Sequence, residues 1–251
     1  MMSSPISEAK VSDVLADEVK APVQAGTLSH DVHLSGEWLS ALVDFIAETL
    51  PDWRDDRSRP AQTSETRLTT QLCARLNSVS RHSGGWDFLQ FRREEPDEVQ
   101  AGRSIDLVAA PSGAVIWMDG REYSEYRALL PIECKRLPTP SRKDRDEREY
   151  VFSRFRSAGG IQRFKAGHHG AAYARAAMIG YVQDRDIPFW FMKVEAWIDG
   201  LVAATVQGWS VNDKLRLAAH LTANRVASLQ SKHQRECGLD PIRIDHLWIE
   251  M

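Results

Sequence analysis

The stretch Leu129-Leu130-Pro131-Ile132-Glu133-Cys134-Lys135-Arg136-Leu137 decides how the chain is read. It predicts a buried strand. Side chains alternate across a strand, so Leu130, Ile132 and Cys134 share one face, and Glu133 and Lys135 share the other. A carboxylate and an ammonium then project side by side, either as an ion pair on a solvated face or as parts of a site. Arg103-Ser104-Ile105-Asp106-Leu107-Val108-Ala109 is a second apolar run with one carboxylate inside it. Such an acid is costly unless it is paired, exposed or bound to a metal. The 26 residues between Asp106 and Glu133 hold a turn (Pro111-Ser112-Gly113), an apolar run (Ala114 to Met118) and a polar turn (Asp119-Gly120-Arg121). They predict a β-hairpin between the two acid-bearing strands.

Asp106 followed by Glu133-Cys134-Lys135 resembles the PD-(D/E)XK signature of the restriction-endonuclease-like nucleases, with Ile105 where the name has Pro. The matched context runs over residues 64 to 182. The resemblance implies an α/β fold, a central mixed β-sheet flanked by helices. It implies a metal-dependent enzyme that hydrolyses phosphodiester bonds of DNA, an endonuclease needing Mg²⁺ or Mn²⁺. It also implies a further acid from the helix before the first catalytic strand, which Glu65 matches, and a glutamine on the helix after the Glu-X-Lys strand, which Gln162 matches. The tyrosine that usually follows four residues later is absent, since position 166 is Ala. The implied catalytic set is therefore Glu65, Asp106, Glu133, Lys135 and Gln162, with Glu65, Asp106 and Glu133 on the metal.

The charge distribution bears on the same reading. The chain has 251 residues, 43% hydrophobic and 27% charged, with a net charge of −3, as in ordinary globular proteins. Residues 1–60 hold 5 bases and 11 acids, net −6, whereas residues 135–175 hold 11 bases and 4 acids, net +7. The basic segment follows the Glu-X-Lys stretch directly. It is placed either to guide a phosphate backbone toward the acids or to line a solvated helix face. Arg163, Lys165 and His169 are its candidate nucleic-acid contacts. The three cysteines (Cys73, Cys134, Cys237) are widely spaced and suggest free thiols in a reducing compartment, hence a cytoplasmic protein. No stretch is long and apolar enough to span a membrane. Without a basic region followed by an apolar core at the N-terminus, no secretory leader is expected.

The remaining chain divides by periodicity. Residues 1–30 are poor in large apolar side chains and read as a flexible tail, with a short helix at Val11 to Val19; 31–251 read as one domain. Trp38 to Leu50 has helical spacing that Pro51 ends. Ser64 to Val79 is a helix with Leu68, Leu72 and Leu76 as its stripe. Glu65 leans to the same side, as a ligand or as a first-turn acid favouring the helix dipole. Trp86 to Phe91 and Ser104 to Ala109 read as strands, and Arg142 to Arg156 as a charged helix. A further helix is expected from Ile161 to Met178, then a strand from Ala177 to Gln183. Helices from Pro188 and from Val211 to Gln234 and a strand from Ile242 to Ile249 follow. His168 and His169, about 100° apart on a helix, are not expected to share one ion. The donors Ser231 to Arg235 suit either a phosphate or a solvated helix end.

Three converging acids and one lysine carry a local charge of −2, which one divalent cation nearly cancels. Hard carboxylate oxygens suit Mg²⁺ or Mn²⁺. The context implied by resemblance is restriction or anti-phage defence, with a homo-oligomer or a defence complex as the assembly. The competing expectations are a catalytically silent nucleic-acid-binding or assembly subunit with the same fold, and an unrelated protein whose acids form structural ion pairs.

Overall fold

The computed structural model describes residues 31–97, 103–155, 159–236 and 238–251. In chain order the elements are β1 (Asp31–Leu34), α1 (Trp38–Asp55), α2 (Glu65–His82), β2 (Leu89–Pro96), β3 (Ser104–Pro111), β4 (Val115–Met118), β5 (Arg121–Tyr123), β6 (Leu130–Leu137), α3 (Gly160–Lys165), β7 (Arg175–Val182), α4 (Ile187–Ala203), β8 (Arg216–Leu221), β9 (Val226–His233) and β10 (Ile242–Glu250). The expected tail, its short helix and Cys237 lie outside the described residues.

The fold is α/β. A seven-stranded mixed sheet has the order β2-β3-β6-β7-β10-β9-β8, with β6, β7 and β10 parallel and the outer pairings antiparallel. Strand alternation assigns each sheet residue to a face. Leu107, Ala109, Ile132, Cys134, Ala177, Ile179 and Tyr181 pack under α1 and α2. Ala176, Met178, Val182, Ile244 and Trp248 pack under α4. The hairpin expected between the acid-bearing strands is β4–β5, antiparallel, but it pairs with β1 in a separate three-stranded sheet.

Several expectations are corrected. Pro51 does not end α1, which continues to Asp55 because buried Trp53 and Arg54, bonded to the Asn224 carbonyl at 2.7 Å, hold its last turn. The strand expected from Trp86 begins at Leu89 and runs through four charged residues to Pro96. Arg142 to Arg156 does not form a helix; its described part is turns organised by buried Asp146, whose carboxylate accepts from the Arg148 and Arg154 amides at 3.1 and 3.3 Å. The helix expected to reach Met178 stops at Lys165, because Gly167 (φ +66) and Gly170 (φ +65) turn the chain into β7.

The largest correction is Val211 to Gln234. It is no α-helix but, after a 3-10 turn at Val211–Asp213, the β8–β9 hairpin, turned through a second 3-10 turn at Thr222–Asn224 that ends at Arg225 in the left-handed region. Leu229, Ser231 and His233 point inward with period two, and two of these three are polar. They join a buried chain of hydrogen bonds. Trp248 Nε1 donates to Tyr150 Oη (2.7 Å), which meets His246 Nδ1 (2.8 Å); His246 Nε2 meets Ser231 Oγ (2.7 Å), which meets His233 Nε2 (2.6 Å); His233 Nδ1 meets Asp213 Oδ1 (2.6 Å). Lys165 also bonds Asp213. Burial pushes both imidazoles below the ordinary histidine range, so both are neutral at pH 7.

Close approach at the sheet centre gives one prediction. Gly180 of β7 faces Trp248 of β10, and an added Cβ would lie 2.6 Å from Trp248 Cδ1. Trp248 is fully buried and has no room to retreat. Gly180→Ala is therefore expected to destabilise the fold by about 1–3 kcal/mol, read as a lower urea midpoint in circular dichroism.

Candidate active site

The site forms where β3 and β6 part. They pair antiparallel at Leu107↔Ile132, Val108↔Pro131 and Ala109↔Leu130. Beyond Ile132 the amides of β6 need other acceptors, since a buried unpaired N–H costs about 1–3 kcal/mol. Asp106 Oδ2 takes the Cys134 amide at 2.9 Å. Glu65, in the first turn of α2, takes the Arg136 amide through Oε2 at 3.0 Å. Two acids far apart in sequence are thus anchored on alternate amides of one strand, on either side of Lys135.

Lys135 Nζ lies 2.6 Å from Glu133 Oε1, 3.7 Å from Asp106 Oδ2 and 3.8 Å from Glu65 Oε1, and donates to the Cys134 carbonyl at 3.1 Å. The four residues expected from the Asp106/Glu-X-Lys pattern and Glu65 therefore come together around one ammonium. Glu133 is fully buried. Its Oε1 also accepts from Arg163 Nη1 at 2.5 Å, and its Oε2 lies 3.0 Å from His169 Nδ1.

The electrostatics separate the three acids and the lysine. Burial pushes the Asp106 carboxyl up, and the Glu133 charge pushes it further, to about 6, against the opposing pull of Lys135 and the Cys134 amide. Burial also penalises the Glu133 anion, but Lys135, Arg163 and His169 outweigh it, so Glu133 is held well below the ordinary carboxylate range. Burial disfavours the Lys135 cation, but Glu133, Glu65 and Asp106 overcome this and raise its pKa. Lys135 is thus a firmly held cation here, and a base role would require it to lose that proton against three carboxylates.

The other sequence candidates sit elsewhere or act differently. Gln162 does not reach the site. Its Oε1 accepts from the Ser153 and Gly159 amides at 3.0 and 3.3 Å and closes the loop before α3. Lys165 is buried against Asp213 and over Trp209, so the expectation that it contacts a phosphate is corrected. His169 is 2% exposed beneath Glu133, which likewise corrects its assignment as a nucleic-acid contact. Arg163 reaches into the acid cluster rather than outward. No residue pattern announced this, because α3 is six residues long and the loop after it folds His169 back. His168 is not on a helix.

A basic rim surrounds the Glu65 side. The Arg136 guanidinium donates to the Thr63 carbonyl at 2.6 Å. Burial lowers its pKa, as do nearby Arg145 and Arg142, while Glu65 raises it. Arg142 and Lys143 are exposed. A cavity of about 240 Å³ beside them is lined by Arg142, Arg145 and Lys193, with Trp190 and Trp197 among its walls.

The donor set is chemically suited to a hard divalent cation, since three carboxylates approach one point. Their spacing is that of acids gathered on an ammonium. Among the described residues, no three His, Cys, Asp or Glu side chains are set as a preformed metal site.

No family model matches the chain, and no match is found among curated proteins or solved structures.

The raised Asp106 pKa has a definite sign. The folded state keeps this proton to higher pH than the unfolded chain, so the stability it contributes is present below about pH 4 and lost as pH rises toward 6. Asn cannot ionise but still offers an oxygen to the Cys134 amide. Asp106→Asn is expected to match the parent near pH 4 and to gain about 1–3 kcal/mol relative to it by pH 7. The open outer edge of Asp106 favours the smaller figure. Urea titrations of both proteins at a series of pH values check this; a constant difference would refute it.

Proposed function

We propose that the protein is a divalent-metal-dependent nuclease of the restriction-endonuclease-like kind, acting on phosphodiester bonds of DNA. The observation that carries this is the convergence of Glu65, Asp106 and Glu133 on Lys135, from α2, β3 and β6. Set against Lys135 and Arg163, three carboxylates leave a local charge of −1. Such a cluster gains most from a compact dication, Mg²⁺ or Mn²⁺, held by Glu65, Asp106 and Glu133. The ion would supply Lewis acidity at a phosphoryl oxygen and a bound water of lowered pKa. Lys135, kept protonated by its neighbours, serves to offset charge that grows on the phosphorus oxygens. Arg142 and Lys143 at the rim take the place of Lys165 and His169 as contacts for a phosphate backbone. A soluble, cytoplasmic role in restriction or anti-phage defence is the setting in which such a nuclease makes sense, a fold-level analogy.

One observation favours a second reading. Glu133 already has Lys135, Arg163 and His169 on its two oxygens. A central acid already neutralised in this way suits a silent subunit that binds nucleic acid without cutting it.

Incubation of plasmid and linear DNA with Mg²⁺ or Mn²⁺ separates the two. Cleavage is expected from the parent, and a loss of at least about a hundredfold from Asp106→Asn and from Lys135→Ala. With Ca²⁺ in place of Mg²⁺, replacing Arg142 and Lys143 by Ala should flatten the slope of log affinity against log salt by up to about 2 for duplex DNA. Binding without cleavage by either metal selects the silent subunit. Neither binding nor cleavage removes the nuclease proposal altogether.

A further inference from the structure

The sheet ends on β8 with an open edge. β8 pairs with β9 on one side only, and every residue from Arg216 to Ala219 is exposed. Leu217 and Leu221 are 45% and 57% exposed. An edge with free backbone donors and acceptors is a template for another strand, and here its one irregular step, between Leu217 and Ala219, brings Arg216 and Leu221 onto the same face. The hairpin register gives each side chain its face. Arg216 pairs with Gln230, Ala219 with Ser228 and Leu221 with Val226, all on the α1 side, whereas Leu217 pairs with Leu229 on the α4 side.

Two cavities flank this edge, one at each end of β8, and they are opposite in charge. At the start of β8, about 280 Å³ is lined by Lys214, Arg216, Lys232 and Arg243, with no acid in the wall. Lys214 and Arg243 have acidic partners, Asp199 and Asp245. Among the described residues, Arg216 and Lys232 are in no ion pair. At the end of β8, about 320 Å³ is lined by Asp44, Glu48, Ala47, Pro51 and Leu221, with no base in the wall. Asp44 and Glu48 are exposed and likewise in no ion pair among the described residues.

We propose that β8 is a homodimer interface, in which β8 of two copies pair antiparallel about a two-fold axis and the two sheets become continuous. A two-fold operation makes the same patch meet itself reversed. The basic start of each β8 then lies beside the acidic end of the other, twice. A parallel pairing would set base on base and acid on acid. Placing Arg216 opposite Leu221 of the second copy, and Leu217 opposite His220, keeps facing side chains on a common side of the sheet. Arg216 is then next to the groove that Asp44 and Glu48 rim. The exposed leucines leave water, and the free edge groups of β8 gain partners. The proposal does not depend on the nuclease reading, because no residue of the acid cluster takes part.

Sedimentation velocity on the full chain, over a concentration series reaching tens of micromolar, tests it. A concentration-dependent dimer is expected. Arg216→Glu should raise the dimer dissociation constant at least about tenfold, and Glu48→Lys should do the same. The double variant Arg216→Glu with Glu48→Lys should recover most of the loss, since the reversed charges again face each other. Leu221→Lys should give a monomer with an unchanged circular dichroism spectrum. A parent that is monomeric throughout overturns the proposal. So does a dimer that survives Arg216→Glu and Leu221→Lys undiminished, or one that the double variant fails to restore. Because Arg216 and Leu221 on the edge and Glu48 on α1 are all exposed, misfolding is not expected. Should Leu221→Lys nevertheless unfold the chain, the charge-swap pair decides alone.

Discussion

A buried ammonium among three carboxylates is the constraint from which the site follows. Lys135 is 7% exposed on its side chain, and an unpaired cation there would cost several kcal/mol. Glu133 answers it from the same strand face. Asp106 and Glu65 can approach only because β3 and β6 part after Ile132 and leave the Cys134 and Arg136 amides to be capped. One local event, the separation of two strands, thus places both remaining acids. It also explains their unequal character. Glu133 is surrounded by cations and is a firm anion, whereas Asp106 is pushed up by its burial and then by the Glu133 charge, which Lys135 only partly offsets.

The buried hydrogen-bond chain on the α4 side has a direction set by its ends. An indole N–H only donates, and an ionised carboxylate only accepts. From Trp248 the donors must run through Tyr150, His246, Ser231 and His233 to Asp213, each hydroxyl or imidazole giving one proton to the next. That order fixes one tautomer for each histidine: His246 protonated on Nε2, His233 on Nδ1. Asp213 is held down to about 2, since His233 and Lys165 outweigh its burial. Lys165 ends α3, two residues after the arginine that reaches Glu133. The polar chain therefore anchors the helix that completes the acid cluster, joining β9 and β10 to the site without touching it.

These buried polar groups also explain which parts of the fold the sequence revealed. The acid-bearing strands were legible because their neighbours are apolar and alternate cleanly, whereas Glu65 was picked out by the resemblance, its place one turn before the leucine stripe leaving a ligand and a first-turn acid both open. The β8–β9 hairpin was not. Its inward positions at 231 and 233 are Ser and His, so its period of two left no apolar signal, while Leu215, Ala218, Thr222, Val226 and Leu229 happen to recur at helical spacing. Lys165 misled for a related reason. A lysine beside an arginine in a basic segment reads as a surface charge, and only the return of Asp213 from 48 residues away makes it internal. Arg163 and His169 were singled out for charge, yet their partner is an acid of the site, a contact set by two glycine turns after α3.

The two open features of the molecule lie apart on one sheet. Four strand steps separate β6 from β8, through β7, β10 and β9. At about 4.8 Å per step this is roughly 19 Å, before twist shortens it. In a dimer joined edge to edge at β8, the two acid clusters would stand roughly 40 Å apart. Each cluster is assembled from α2, β3, β6 and the α3 segment of one chain, and no residue of the β8 edge enters it. Association at β8 would then set the distance and orientation between two complete sites rather than build either one. Chemistry at a single site is separable from assembly on this account. Under the proposed function, a long polyanion, whose phosphates repeat along its length, would be the kind of ligand able to meet both sites at once.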